Sequence, residues 1–280
     1  MEVKIAQNAG FCFGVKRAMK MAWDELESED STNVYSLGPL IHNKQAVNKY
    51  KEKGLIEEDS LEKIPNDSKI IIRSHGVSKK IYTDSKLKNM EIVDTTCPFV
   101  KKIHDIVKNF YDNGYKIIII GNAIHPEIIG INGWCNNEAI IINSEEEVDS
   151  NLFNQNDKYC VVSQTTANLG FFDKIVSKLE NKIENLVIKN TICSATKERQ
   201  LSATDLAKEV DCMIVIGGKH SSNTQKLVNI CKEFVPTFFI ETISELDKNE
   251  LDKYKIAGVT AGASTPDWII DEVIDFLKKI

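Results

Sequence analysis

Three cysteines stand at matching places in this chain. Cys12 lies in NAGFCFGVKR, Cys97 in VDTTCPFVKK and Cys193 in IKNTICSATK. Beyond each comes an apolar run that closes on glycine: VYSLG to Gly38, IIIIG to Gly121 and MIVIG to Gly217. The cysteine-to-glycine separations are 26, 24 and 24 residues. Four residues past each glycine stands His42, His125 or Ser221. A later run in each copy ends in RSHG with His75, in SQTT with Gln164 and Thr165, or in TAGAST with Ser264. Repetition on this scale predicts three similar α/β units. Three thiols in equivalent positions could converge on one centre, and three thiolates hold a metal or cluster while leaving one coordination position open.

A cysteine at the start of a helix lies where unpaired backbone N–H groups and the helix dipole favour the thiolate. Pro98 after Cys97 suits a first helical position. Gly10 and Gly14 let the chain turn tightly around Cys12. Cys135, Cys160, Cys212 and Cys231 lie outside the pattern; core packing accounts for the last three, and Cys135 sits in a Gly/Asn-rich loop. No CxxC pair occurs, which argues against a zinc ribbon or a thioredoxin-like site. Zinc on three sulfurs with an open position is one reading and an iron–sulfur cluster another; spacing does not choose between them.

The polar residues of the same loops suit an anion. His42, His75 and His125 fall at strand ends, and Ser221, Ser222 and Asn223 precede a helix whose exposed N–H groups favour phosphate. Asn43, Arg73 and Lys219 lie nearby with weaker individual claims. Glu127, two residues after His125, could relay a proton to a bound substrate. Its competing role is that of an exposed first-turn acid stabilised by the helix dipole. Gln164 and Thr165 could orient a hydroxyl or a water. No GxGxxG or GKS/GKT pattern occurs, so dinucleotide and P-loop readings are weak.

The elements that must position these groups are strands and helices in alternation. The repeat divides the chain into units at 1–96, 97–192 and 193–280. Each unit is small enough to need cover from its neighbours. The apolar runs between helices are continuous, as in parallel strands covered on both faces. Right-handed β-α-β crossovers would then gather the strand C-terminal ends, and with them all the loops above, on binding edges.

Composition is that of a globular chain, 42% hydrophobic and 27% charged, with a net charge of −6 that gives no footing for nucleic acid. No 18-residue apolar stretch marks a membrane span. The opening MEVKIAQNAG lacks the basic and apolar regions of a secretory signal, and the seven cysteines read as reduced intracellular thiols. A cytoplasmic monomer is the expectation.

Taken together, NAGFCFGVKRA, LGPLIHN, RSHGV, DTTCPFV, HPE, SQTT, TICSAT, KHSSNT and TAGAST, spread over residues 8–265, resemble the 4-hydroxy-3-methylbut-2-enyl diphosphate reductase family. The resemblance implies three α/β domains, pseudo-threefold around a central [4Fe–4S] cluster ligated by Cys12, Cys97 and Cys193. It implies an allylic diphosphate substrate held by His42, His75, His125, Ser221, Ser222, Asn223 and Ser264. Glu127 resembles the family's proton-delivery carboxylate, with Thr165 assisting at the hydroxyl. Two electrons, supplied singly by reduced ferredoxin or flavodoxin, would remove that hydroxyl as water and yield isopentenyl or dimethylallyl diphosphate. His220 and the Trp134-Cys135 pair depart from the family's pattern. Rival functions are a non-redox iron–sulfur hydratase or dehydratase, and an iron–sulfur sensor; a sensor would not need Glu127 or the His/Ser/Asn set.

Overall fold

The computed structural model describes residues 1–28, 33–150 and 153–280. In chain order the first stretch contains β1 (Glu2–Ile5), α1 (Phe13–Glu27), β2 (Val34–Leu37), α2 (Lys44–Glu52), β3 (Ile56–Glu58), β4 (Lys69–Ile72), α3 (Lys79–Leu87) and β5 (Glu91–Asp94). The second contains α4 (Pro98–Asp112), β6 (Tyr115–Ile120), α5 (Pro126–Asn132), β7 (Ile140–Ile142), α6 (Glu145–Ser150), β8 (Lys158–Ser163), α7 (Leu169–Glu180) and β9 (Leu186–Ile188). The third runs through α8 (Ser194–Ala207), β10 (Cys212–Ile216), α9 (Ser222–Lys232), β11 (Thr237–Ile240), α10 (Lys248–Leu251), β12 (Ile256–Ala261) and α11 (Asp267–Leu277).

The described strands form three four-stranded sheets, in the orders β1-β12-β10-β11, β3-β2-β4-β5 and β7-β6-β8-β9. Every pairing is parallel. The expected fold class, three small α/β sheets of parallel strands, is present. The burial pattern explains the continuous apolar runs. Along β6, Ile118 and Ile120 enter one core cluster while Ile117 and Ile119 enter another. Along β10, Cys212, Ile214 and Ile216 face α11, and Met213 and Val215 join the opposite cluster with Ala203, Leu227 and Val228 of α8 and α9. Side chains alternate between faces, so a strand covered on both must be apolar at every position. Each such Ile or Val contributes about 1.5–3 kcal/mol on burial. The covering helices are apolar along one stripe; α4 buries Val100, Ile103, His104 and Val107.

Two features differ from the sequence reading. β1 pairs with β12, in register Glu2 to Ile256 through Ile5 to Val259, so the first strand lies in the sheet of the last stretch. Parallel pairing between distant strands leaves no local trace in sequence. α6 and α10 were not expected, because each is short and buries a single apolar side chain, Val148 or Leu251. The chain folds as two compact units: Met1–Lys16, Ile41–Lys53 and Ser194–Ile280 form one, and Arg17–Leu40 with Gly54–Cys193 the other.

Candidate active site

All the singled-out residues lie in loops after strand C-terminal ends or in the first turn of the helix that follows. Each of the three cysteines immediately precedes a helix, α1, α4 or α8, and Cys97 is the N-cap of α4. Cys12, Cys97 and Cys193 are half-buried, whereas Cys135, Cys160, Cys212 and Cys231 are buried, and none of the seven is in a disulfide. Burial pushes the thiols of Cys135 and Cys212 up to about 11 and those of Cys160 and Cys231 up to about 12. The structure thus sorts the thiols as the repeat did. It also places Cys135 among the core residues.

A shared wiring supports each cysteine. The backbone N–H of Cys12 donates to Ala263 O at 3.4 Å, that of Cys97 to Ser74 O at 3.0 Å, and that of Cys193 to Thr165 O at 3.0 Å. The acceptor in each case lies inside a turn closed by an i to i+3 bond: Gly76 N to Arg73 O, Thr265 N to Gly262 O and Ala167 N to Gln164 O. Superposing the turns by these bonds makes Ser74, Ala263 and Thr165 equivalent. The next position is then His75, Ser264 and Thr166. Sequence reasoning passed over Thr166, since motif spacing does not fix the turn register to a single residue.

The first unit carries Cys12, His42, Ser221, Ser222, Asn223 and Ser264. Ser264 Oγ donates to His42 O at 3.4 Å. Gly218 passes so close to the same carbonyl that a Cβ there would strike it. Asn43, not His42, caps α2 and accepts from Ala46 N at 2.9 Å. Ser221, rather than Ser222 or Asn223, caps α9 and accepts from Thr224 N at 3.3 Å. Asn223 is 5% exposed, and both atoms of its amide are buried without a hydrogen-bond partner. A buried amide left unsatisfied destabilises the fold, so its place here calls for a reason other than stability.

The second unit carries Cys97, Cys193, His75, His125, Glu127, Gln164 and Thr165. The rings of His75 and His125 stand edge to face, 5.5 Å apart. His125 caps α5, its Nδ1 accepting from Glu127 N at 3.1 Å. In the neutral ring the proton is then on Nε2, which makes His125 a donor. Glu127 is not the exposed first-turn acid that was its competing description. It is 3% exposed, and its carboxylate accepts from Thr165 N at 2.6 Å and from Thr165 Oγ at 2.7 Å. Thr165 therefore binds Glu127 with its side chain and backbone N–H, and Cys193 with its carbonyl. Gln164 is engaged within the protein: its Nε2 donates to Thr166 Oγ at 2.9 Å and its Oε1 accepts from Asn122 N at 3.4 Å. Arg73, beside Gly38, has its guanidinium pKa lowered by burial.

Half-exposed thiols at helix starts, a buried carboxylate–hydroxyl pair and an orphaned amide beside a serine cap are the features of an α/β enzyme that carries cysteine and carboxylate chemistry on its strand-end loops. The chain belongs to the LytB protein family, whose pattern matches residues 3–278. It is 62% identical over 280 residues to a 4-hydroxy-3-methylbut-2-enyl diphosphate reductase of Clostridioides difficile (strain 630), covering 100% of both chains. A reductase of the same description from Alkaliphilus oremlandii is 50% identical over 282 residues, again over 100% of both. Among solved structures, the E-1-hydroxy-2-methyl-but-2-enyl-4-diphosphate reductase from Plasmodium falciparum matches with a TM-score of 0.93 at 30% identity, covering 98% of this chain and 87% of that one. A second, (E)-4-hydroxy-3-methyl-but-2-enyl diphosphate reductase, the terminal enzyme of the non-mevalonate pathway, matches with a TM-score of 0.74 at 40% identity, covering 100% and 99%.

Proposed function

We propose that this protein reductively dehydroxylates 4-hydroxy-3-methylbut-2-enyl diphosphate to isopentenyl and dimethylallyl diphosphate. The C–O bond of the allylic hydroxyl breaks, a C–H bond forms, and two electrons and two protons leave one water. The observation that carries this reading is the Glu127–Thr165 pair on the turn whose carbonyl accepts from Cys193 N–H. It joins a carboxylate that can carry a proton to the backbone of one cysteine of the equivalent triplet.

Cys12, Cys97 and Cys193 would hold a [4Fe–4S] cluster. The donor set fits: three half-buried sulfurs, each at the start of a helix, while the remaining four thiols are buried with raised pKa values. When bound, the cluster supplies one-electron transfer and an iron with an open position for the substrate oxygen. Glu127, protonated for the step, would donate to the Thr165 hydroxyl, which turns to pass its own proton to the departing oxygen and is reprotonated by Glu127. His42, His75, His125, Ser221, Ser222, Asn223 and Ser264 hold the diphosphate, with Thr166 added by turn equivalence. His125 donates through Nε2. Gln164 steadies the turn that carries Thr165 and Thr166.

Reduced ferredoxin or flavodoxin would deliver the electrons to a monomeric cytoplasmic enzyme. Among the described residues no helix is long and apolar enough to cross a membrane. The boundaries 1–96, 97–192 and 193–280 remain our division of the three copies as the sequence repeats them; β1 nevertheless pairs with β12, in the sheet of the third copy. Anaerobic turnover with a one-electron donor, with product analysis and Mössbauer spectra of the same sample, tests the reading. Loss of the hydroxyl with electron uptake and both isoprenoid diphosphates as products is expected. Turnover indifferent to the donor would point to non-redox hydration or dehydration, and ligand binding without products to a sensor.

A further inference from the structure

Trp134 lies outside every motif above, yet it is tied to the turn that carries His75. It follows α5, and its indole N–H donates to Val77 O at 3.0 Å. Its ring stacks on that of His104 in α4, with centroids 5.1 Å apart and planes 18° apart. His104 is 2% exposed, and its Nε2 is buried without a hydrogen-bond partner. The same imidazole abuts Gly76, where φ is +71° and a Cβ would sit 2.6 Å from His104 Cε1. α5 closes on the segment as well. A Cβ on Gly130 would lie 3.4 Å from the carbonyl of Gly76, and one on Gly133 would strike Ser78.

Packing alone does not ask for histidine here, because an apolar ring would avoid the orphaned nitrogen. The ring instead sits between Trp134, on which it stacks, and Gly76, whose lack of a Cβ lets the two approach. Three elements therefore meet at this ring: α4, which begins after Cys97; α5, which begins after His125; and the turn of His75.

We propose that His104 is a positioning residue for substrate affinity: stacked on Trp134 and seated against Gly76, it fixes the turn that places the His75 imidazole 5.5 Å from that of His125. The inference rests on the reading that His75 and His125 hold the diphosphate. His104 touches no substrate and acts through His75. Its replacement therefore raises KM and leaves kcat at saturation close to that of the parent, whereas general loosening of the fold would reduce cluster content and kcat together.

The test is a double-mutant cycle on the anaerobic, cluster-loaded protein, with substrate affinity measured by calorimetry and iron and sulfide quantified in each sample. His104→Asn and His75→Ala are each expected to weaken binding roughly tenfold, the size of one misplaced or missing hydrogen bond to a charged group. The double variant should bind no more weakly than His75→Ala alone, because the two act through one contact. Additive losses, or a His104→Asn affinity within about twofold of the parent, overturn the proposal. A His75→Ala protein that binds like the parent brings down the diphosphate reading itself, a separate result read from its own arm. If His104→Asn fails to fold, Trp134→Phe enters the same cycle under the same criteria, since it keeps a ring against His104 while removing the bond to Val77 O and part of the stacked surface.

Discussion

Glu127→Gln separates proton delivery from structural support, and the geometry gives the size of both effects. The carboxylate accepts two hydrogen bonds, from Thr165 N at 2.6 Å and Thr165 Oγ at 2.7 Å. The amide keeps one acceptor for the backbone N–H and presents its NH2 to the hydroxyl, which turns to accept. Two charge-assisted bonds become two neutral ones, a loss of roughly 1 kcal/mol each. The smaller burial penalty of an amide relative to a carboxylate offsets part of that, leaving a net loss of about 1 kcal/mol. The chemical step loses its general acid, worth about 10²–10⁴ in rate, or roughly 3–5 kcal/mol of barrier. The barrier change exceeds the stability change, so the protein should fold, load its cluster and bind substrate while hydroxyl loss collapses. Single-turnover assays on pre-reduced enzyme isolate this step from electron delivery, and urea unfolding gives the stability change. Wild-type turnover with normal cluster loading would refute the proton-delivery role. A stability loss above about 3 kcal/mol would refute the reversed hydrogen-bond account.

In cluster-free protein at pH 8, iodoacetamide should label Cys12, Cys97 and Cys193 at least about 100-fold faster than Cys135, Cys160, Cys212 and Cys231, whose burial makes labelling wait for local opening; comparable labelling of Cys160 by mass spectrometry would contradict the sorting. Asn223→Ala removes two orphaned buried atoms, so its melting temperature should equal or exceed the parent's while substrate affinity falls roughly 10- to 100-fold; a lowered melting temperature with unchanged affinity would mean that the amide serves the fold. His104 is held neutral by burial, its pKa lowered from 6.5 to about 4. The unfolded chain therefore binds a proton that the folded one refuses, and stability should fall by about 3 kcal/mol as pH drops from 6.5 to 4. Urea midpoints across that range should slope less steeply in His104→Asn, and parallel slopes would exclude the assignment.

The cysteine triplet and the strand-end loops were legible because a repeat writes the same local chemistry three times, at nearly constant spacing. Parallel strands buried on both faces were legible from runs such as IIIIG, where no polar alternation interrupts. The burial of Glu127 was not: an acid after His-Pro at a helix start looks solvent-exposed until Thr165, from another strand end, closes over it. Thr166 was hidden by one residue of register, visible only through the i to i+3 turn bonds. His104 was hidden by its place in an ordinary amphipathic stripe with Val100, Ile103 and Val107, where its chemistry has no sequence signature. The partner of β1 lay more than half the chain away, beyond the reach of any periodicity.

That last pairing imposes an order in time. The loop of Cys12 takes its shape from the end of the chain: Gly10 N donates to Ala261 O and Cys12 N to Ala263 O, both at the exit of β12. During synthesis Cys12 emerges before the strand that frames it, with β2–β11 made in between. Until residues 256–263 leave the ribosome, β1 is an unpaired edge with no template for its register. The turns for Cys97 and Cys193 draw on Ser74 and Thr165, which precede them, so their supports are already made when those cysteines appear. Cys12 is therefore the last of the three cysteines to have its supporting turn made, and a nascent chain stalled before β12 offers two framed thiols instead of three.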